Sequence, residues 1–179
     1  MNIGFDLDNI FISTPPFIPK QIIDKLYKKK DNGDLLYRIP SVPEQILRHT
    51  SHIPIFRPAI RENLDFIKSI PKSNNKLFLI SSRFKFLEKR TSKLVKKYGL
   101  DKIFDEMYFN FENMQPHIFK NNVLKKLNLD AYIDDDLSLL KHVSKENNKT
   151  KFYWLKTFNK PYGLPKNITA ISKLKEILT

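Results

Sequence analysis

Acidic side chains follow two of the short apolar runs in this chain of 179 residues. Asp6 and Asp8 stand at the end of the first run, and three consecutive aspartates at 134–136 end a later one. If both runs are parallel strands of one sheet, their carboxyl ends meet at a common edge, where open α/β sheets bind ligands. Carboxylates that lie so close repel one another, and a hard divalent cation offsets that repulsion. Because these ligands are oxygens and the chain has no cysteine, the pattern favours Mg²⁺ over zinc or copper.

Other polar side chains occupy similar places in the sequence. The tripeptide Ser81-Ser82-Arg83 follows another apolar run, and Lys120 lies in a helical pattern between two runs. Each has an ordinary alternative explanation, because serines are common in turns and Lys120 is one lysine among many. The aspartates at 134–136 are likewise suited to cap a following helix. We weigh the group above its members because residue types, order and strand-end positions agree.

Strand-like and helix-like patterns alternate along the chain. The predicted strands are mostly continuous apolar runs, as in strands buried on both faces of a parallel sheet, at residues 3–7, 77–81, 107–111, 131–133 and 151–155. Helical spacing covers residues 59–70, 84–98 and 117–127, and a last helix is predicted from Ile171, Leu174 and Leu178. The alternation predicts an α/β fold with helices on both faces of a central parallel sheet.

The first two predicted strands lie about seventy positions apart, far more than one crossover needs. Residues 14–57 are therefore predicted to be an insertion, and residues 1–13 and 58–179 to form the α/β core. We expect the insertion to be a small helical cap. Its patterns are a helical stretch at 22–27, a turn at Asn32-Gly33 and a second helical stretch around Ile46 and Leu47.

These motifs resemble those of the haloacid dehalogenase (HAD) superfamily of phosphatases. The segment Phe5-Asp6-Leu7-Asp8-Asn9-Ile10 is similar to the first motif, two aspartates one residue apart after an apolar strand. Leu79-Ile80-Ser81 resembles the second motif, Lys120 the third and Tyr132-Ile133-Asp134-Asp135 the fourth. Residues 57–140 resemble the branch that holds the 5′(3′)-deoxyribonucleotidases. The resemblance implies a Rossmann-like core with a small cap inserted after the first strand.

The resemblance also implies a chemistry: a Mg²⁺-dependent phosphomonoesterase that forms an aspartyl-phosphate. The implied substrate is a nucleoside monophosphate or a similar small phosphorylated metabolite. Asp6 would be the nucleophile, and Asp8 would protonate the leaving oxygen and then deprotonate water. Ser81 would bind a phosphoryl oxygen, and Lys120 would neutralise its charge and position Asp6. The implied metal ligands are Asp6, the backbone carbonyl of Asp8, Asp134 and Asp135.

Substrate contacts are expected from Ser82, Arg83 and Arg90, with Lys89 as the alternative to Arg90. The insertion is expected to form a lid over the site, with residues 9–13 beneath it. Its basic residues are candidate contacts for a second anionic group, although the sequence does not indicate which of them face inward. They are Lys20, Lys25, Arg38, Arg48 and Arg57, with His49 and His52 nearby.

Lysine and arginine outnumber the acidic residues by 32 to 19, which gives a net charge of +13. The densest basic stretch, residues 83–102, falls largely on the polar side of a predicted helix, and no nucleic-acid-binding motif accompanies it. Nucleic acid stays open as a partner on charge alone. Two alternatives to a metabolite phosphatase follow: a phosphatase for nucleic-acid ends, and a non-catalytic module that binds nucleic acid or a partner protein. The expected lid argues against a phosphatase for nucleic-acid ends, because it would crowd the entrance for a long polymer. The intact motifs argue against a non-catalytic module.

Composition sets further bounds on the function. The absence of cysteine excludes a disulfide scaffold, a thiolate nucleophile and a zinc–thiolate site. The N-terminal segment lacks the pattern of a signal peptide, and no apolar run approaches the roughly 20 residues that span a bilayer. We expect a cytoplasmic protein without membrane association, and the sequence gives no indication of its oligomeric state.

Overall fold

The computed structural model describes residues 1–15, 28–31, 34–53, 55–156 and 163–178. The described strands are β1 (Asn2–Phe5), β2 (Lys28–Asp31), β3 (Asp34–Tyr37), β4 (Lys76–Ser81), β5 (Glu106–Phe109), β6 (Ala131–Asp134), β7 (Lys151–Leu155) and β8 (Ile168–Ile171). The described helices are α1 (Val42–Ser51), α2 (Arg61–Ser69), α3 (Glu88–Lys97), α4 (Pro116–Leu127) and α5 (Leu137–Val143). Short 3₁₀ turns cover Lys85–Leu87, Leu100–Lys102 and Leu174–Leu178.

Six strands form one parallel sheet in the order β5-β4-β1-β6-β7-β8. The first strand of the chain therefore lies between β4 and β6, with Phe5 opposite Leu79 on one side and Ile133 on the other. Because all strands run the same way, the residues that follow β1, β4 and β6 lie at the same edge of the sheet. This register brings the predicted first, second and fourth motifs to one place.

The sheet is buried on both faces, which explains its continuous apolar strands. Along β4, Leu77 and Leu79 belong to one apolar cluster with Leu94 of α3, and Phe78 and Ile80 belong to a second. Leu124 of α4 lies in that second cluster. Side chains alternate between the two faces of a strand, so the two clusters are the two sides of the sheet. The chain thus forms the α/β/α layers that the sequence predicts.

All five predicted strands are confirmed, and the last predicted helix is wrong. Ile171 ends the edge strand β8, and residues 174–178 form a 3₁₀ turn. The main chain pairs with β7 at both ends of this strand, where Phe152 N donates to Asn167 O and Lys156 N donates to Ile171 O, each at 2.9 Å. A bend at 172–173 separates the strand from the turn, so the helix-like spacing of Ile171 and Leu174 arises from two different elements.

The described part of the predicted insertion contains a β2–β3 antiparallel hairpin, which the sequence analysis did not predict, followed by α1. The second predicted helical stretch lies in α1, while the stretch at 22–27 and the Asn32-Gly33 turn lie outside the described residues. Helix α1 begins after Ser41, whose N–H donates to the Glu44 carboxylate at 2.7 Å in a capping box. None of the described helices is long and apolar enough to cross a bilayer.

The two chain segments that join the insertion to the sheet lie side by side. Ser13 N donates to Pro58 O at 3.0 Å, and Ile60 N donates to Phe11 O at 2.8 Å. Ile12 and Ala59 form an isolated antiparallel bridge between these segments. The segments that bound the predicted insertion on either side are thus hydrogen-bonded to each other.

Gly4 lies where the central strand meets a tightly packed layer. A Cβ at this position would overlap the side chain of Leu129 and approach Tyr132 Cδ2 to 3.0 Å. We expect Gly4→Ala to lower the free energy of unfolding by about 1–3 kcal/mol, because the core would have to shift. Urea denaturation followed by circular dichroism measures this, with Thr169→Ala on the edge strand as the control. Equal stability of the two variants would contradict the packing described here.

Candidate active site

Asp6 and Lys120 form the buried centre of the site. Asp6 follows β1 directly, and its N–H donates to Ile133 O at 2.9 Å, which continues the strand pairing with β6. Lys120 reaches from α4 to donate to Asp6 Oδ1 at 2.7 Å and to Asp134 Oδ2 at 2.6 Å. Burial alone would lower the pKa of Lys120, but Asp134 and Asp6 outweigh it and raise that pKa well above its usual value. Lys120 is therefore a fixed positive charge between two carboxylates.

Asp134 ends β6 and is held by three donors. Besides Lys120, the Tyr132 hydroxyl donates to Asp134 Oδ2, and the backbone N–H of Asp136 donates to Oδ1, each at 2.9 Å. Asp136 in turn caps α5, because its side chain accepts from the N–H groups of Ser138 and Leu139. The helix-capping explanation of the three aspartates therefore holds for Asp136. The side chains of Asp134 and Asp135 do not cap this helix and are candidates for metal binding.

Three carboxylates can share one cation. Oxygen atoms of Asp6, Asp134 and Asp135 all lie within 4.8 Å of one another. Two ligands of one octahedral Mg²⁺ are at most about 4.2 Å apart, so a small adjustment would close this group around the ion. The donors are all hard oxygens, which suits Mg²⁺. The Asp8 carboxylate is directed elsewhere, which agrees with a role for its backbone carbonyl rather than its side chain in metal binding.

Asn9 shapes the metal-binding edge. Its side-chain amide donates to Asp135 Oδ2 at 2.8 Å, and its backbone is in the left-handed region with φ of 56°. Asparagine tolerates this region better than most residues, and the conformation turns the chain away from β1 so that Asn9 N donates to Ile12 O. The indole of Trp154 donates to the backbone carbonyl of Asp135 at 3.0 Å. Asp135 is thus oriented from two sides.

Two arginines hold Asp8. Arg83 binds it as a planar fork, with Nε to Oδ2 at 2.8 Å and Nη2 to Oδ1 at 2.7 Å. Arg57 adds a third bond from Nη1 to Oδ1 at 2.7 Å. Burial by itself raises the pKa of Asp8, but Arg83 and Arg57 outweigh it and hold that pKa well below its usual range. In Asp6 the balance is reversed, because burial dominates and raises the pKa of that carboxyl.

His52 is the second partner of Arg57. Arg57 Nη2 lies 3.0 Å from His52 Nε2, and His52 Nδ1 lies 2.7 Å from the backbone carbonyl of Arg48. Burial and the neighbouring Arg57 and Arg83 charges lower the pKa of His52 well below its usual value. The imidazole is therefore neutral beside two guanidinium groups.

A cavity of about 210 Å³ opens over these groups. Of the residues predicted from sequence for the site, it brings together Asp6, Asp8, Ser81, Ser82, Arg83, Lys120, Asp134 and Asp135. Arg90 and its alternative Lys89 are not among the residues that line it. From the insertion and its return to the core, the cavity is also lined by Tyr37, Arg38, Arg48, His52 and Arg57.

The two sides of the cavity differ in charge. The side next to β6 carries the aspartates at 134–136 and Asp6 around Lys120, and it is net negative. The other side carries arginines around Asp8 and is net positive. A cation fits the first side, and an anion that enters the cavity meets the second.

Sequence reasoning missed several residues of the site. The sequence analysis places Asn9 only in the first motif and in the segment beneath the lid, and it does not predict Tyr37 as a site residue. Tyr37 lines the cavity and donates its hydroxyl to Asp136 Oδ2 at 2.9 Å, while its backbone pairs with the Gln115 side chain. Arg57 and His52 were predicted only as candidate contacts for a second anionic group, whereas the structure brings Arg57 to Asp8 and His52 to Arg57.

Solved structures with the same architecture are known. A candidate beta-phosphoglucomutase from Thermotoga maritima matches over 99% of this chain and 96% of its own, with a TM-score of 0.60 and 19% identity. A HAD-superfamily hydrolase from Ehrlichia chaffeensis matches over 98% of this chain and 93% of its own, with a TM-score of 0.55 and 14% identity. Comparison with family models and with curated proteins gives no match. The chain thus has the HAD-like α/β fold that the sequence predicts.

We expect the left-handed backbone at Asn9 to separate two substitutions. Asn9→Ala and Asn9→Gly both remove the bond to Asp135, but only alanine is strained at this φ. Asn9→Ala should therefore unfold with a free energy about 1 kcal/mol lower than Asn9→Gly, even after the gain in unfolded-chain freedom that glycine brings. Urea denaturation of the two proteins measures the difference. Two equally stable variants would contradict the strained conformation.

The neutral state of His52 predicts a pH dependence of stability. Unfolded, this histidine titrates near pH 6.5, so below that pH the unfolded chain binds a proton that the folded chain does not. The free energy of unfolding should fall by up to about 1.4 kcal/mol per pH unit from this group as the pH drops below 6.5. His52→Gln should remove that part of the dependence. Urea titrations between about pH 7.5 and 5.5 test this; identical slopes in both proteins would refute it.

Proposed function

We propose that this chain is a phosphomonoesterase that acts through an aspartyl-phosphate on Asp6. The observation that carries the proposal is the buried group of Asp6, Lys120 and Asp134 at the carboxyl edge of a HAD-like sheet. A buried carboxylate that is fixed by an ammonium group and faces a cavity is suited to nucleophilic attack on phosphorus. Asp8, two residues further on, lies at the same cavity.

The proposed reaction has two steps. An oxygen of Asp6 attacks phosphorus, the bond from phosphorus to the ester oxygen breaks, and Asp8 supplies the proton that the leaving oxygen takes. Water then attacks the same phosphorus and gives a proton to Asp8, while the bond from phosphorus to the Asp6 oxygen breaks, so that inorganic phosphate leaves and Asp6 is restored. Mg²⁺ held by Asp6, Asp134 and Asp135 and by the carbonyl of Asp8 would offset the negative charge that the nucleophile and phosphate bring together.

The ion pairs with Arg83 and Arg57 favour the ionised form of Asp8, which suits the second step. To give a proton in the first step, it must be protonated when substrate is bound. The arginines that hold it line the same cavity and can form ion pairs with phosphoryl oxygens instead. We infer that the incoming phosphate draws Arg83 partly away from Asp8, while Arg57 stays bonded to it.

The serines support the binding of phosphate. Ser81 ends β4 and is buried at the cavity wall. The Ser82 hydroxyl is buried without a hydrogen-bond partner among the described residues. A buried unpaired hydroxyl is costly, and a phosphoryl oxygen would satisfy it. Both serines are thus proposed to bind the transferred group, together with Arg83.

For the substrate we propose a nucleoside monophosphate or another small phosphorylated metabolite. The cavity is small, and its apolar wall includes the rings of Tyr37 and Phe84, on which a flat base could pack. The resemblance of residues 57–140 to the nucleotidase branch supports the same choice. We propose that the insertion, residues 14–57, acts as the cap over this cavity, and that the protein works in the cytoplasm.

Phosphate release tests this function. With Mg²⁺ present, we expect release from at least one member of a panel of 5′- and 3′-nucleotides, sugar phosphates and end-phosphorylated oligonucleotides. Asp6→Asn should lower the rate by at least about 1,000-fold while the protein stays folded, because the nucleophile is lost. EDTA should abolish the activity and added Mg²⁺ should restore it.

The matched control is Asp65→Asn, an exposed carboxylate of α2 with 76% of its side chain accessible, which should keep wild-type activity. A preference for oligonucleotides would replace the metabolite by nucleic-acid ends as the substrate. Release that survives in Asp6→Asn would overturn the assignment of the nucleophile. No release from any member of the panel, by folded protein with Mg²⁺, would count against the phosphatase and for a binding module.

A further inference from the structure

A continuous chain of hydrogen bonds runs from the end of α1 to Asp8. The backbone carbonyl of Arg48 can only accept, so His52 Nδ1, 2.7 Å away, must carry the imidazole proton. His52 Nε2 is then an acceptor, and it accepts from Arg57 Nη2 at 3.0 Å. Arg57 Nη1 donates to Asp8 Oδ1 at 2.7 Å. Every donor along this path meets an acceptor, and the tautomer of His52 is fixed by its neighbours.

The orientation of Arg57 depends on two contacts at its tip. Its Nε is buried and has no hydrogen-bond partner among the described residues, so the guanidinium is held by His52 on one side and Asp8 on the other. The backbone carbonyl of Arg57 accepts from the Tyr98 hydroxyl at 3.1 Å, which fixes the main chain but not the tip. Without His52, the guanidinium would lose one of its two side-chain anchors.

Charge balance alone does not explain this arrangement. Arg83 already neutralises Asp8 and satisfies both of its oxygens. Arg57 adds a second positive charge, and a buried histidine beside two arginines costs stability, where an apolar residue would pack without that cost. Arg57, which is held by His52, contacts Asp8 from the side of the insertion, whereas Arg83 contacts it from the core. The two residues therefore constrain the orientation of the Asp8 carboxylate.

We propose that His52 is a positioning residue that holds Arg57 against Asp8, so that the place of α1 over the cavity sets the placement of the proton-transferring carboxylate. The proposal rests on the proposed function, because it is there that Asp8 transfers protons. Arg57 precedes Pro58, at the junction where segments 11–13 and 58–60 are bonded together. Movement of α1 at this junction would displace His52, and with it the guanidinium that bears on Asp8.

Two substitutions of His52 test the idea by rescue. His52→Leu has a similar size but accepts no hydrogen bond, whereas the Oε1 atom of His52→Gln can still accept from Arg57. We expect His52→Leu to lower kcat by about 10- to 100-fold, since a small misplacement of a catalytic group has that effect, and to change KM far less. His52→Gln should recover most of the loss. His49→Leu, in α1 but outside the cavity lining, is the matched control and should keep wild-type kcat.

A background variant separates positioning from general damage to the fold. In Arg57→Gln protein, His52→Leu should have no further effect on kcat, because the group through which it acts is gone. Equal fold-losses in the wild-type and Arg57→Gln backgrounds would overturn the proposal. So would a His52→Gln protein as slow as His52→Leu.

Denaturation gives a readout that does not need activity. His52 and Asp8 share Arg57 as a partner, so His52→Leu and Asp8→Asn should shift the urea midpoint non-additively, and additively once Arg57→Gln is present. If the wild-type protein releases no phosphate but this coupling is found, the proposed function is wrong and the positioning of Arg57 by His52 is supported. If phosphate is released and the coupling is absent, the positioning role of His52 is wrong and the proposed function is supported.

Discussion

The site depends on three charges that are taken out of water together. Lys120 lies between Asp6 and Asp134, and all three side chains are nearly inaccessible to solvent. Such a group is stable only if each charge is opposed and each remaining lone pair is bonded. The sheet order contributes to this, because β1 lies next to β6 and the Tyr132 hydroxyl and Asp136 N–H both donate to Asp134. With β1 next to β6, Lys120 can donate to both carboxylates at once.

Two carboxylates separated by one residue are given opposite properties by their surroundings. Leu7 between them is fully buried, which directs Asp6 and Asp8 to the cavity from the same strand end. Burial raises the pKa of Asp6, while arginines from the core and from the insertion lower that of Asp8. Pairs of acids whose pKa values are pushed apart are typical of sites where each acid has its own role. Here the difference comes from which segments reach each carboxylate, and not from the strand itself.

Sequence alone predicts the part of the site that follows strand ends. Asp6, Ser81 and Asp134 were found because a buried parallel strand leaves a recognisable run of apolar residues, and its end is a local feature. His52 and Arg57 belong to the segment between β1 and β4, whose path no local pattern specifies. Arg57 reaches Asp8 from more than forty positions away in the chain. Periodicity also failed where it was short, since four residues of β8 and a following turn imitate a helix.

Helix α1 contributes to the site without an apolar interface of its own. None of its residues is buried, and Val42 and Leu47 are about 70% exposed. What connects its C-terminal end to the cavity is polar and directional: Arg48 over the Phe86 ring at 5.8 Å, and the bonds through His52 to Arg57. Apolar packing stabilises without a preferred direction, whereas hydrogen bonds weaken steeply with angle. A helix held in this way is specified in position by the same contacts that reach Asp8, so its placement and the geometry of the carboxylate are set together.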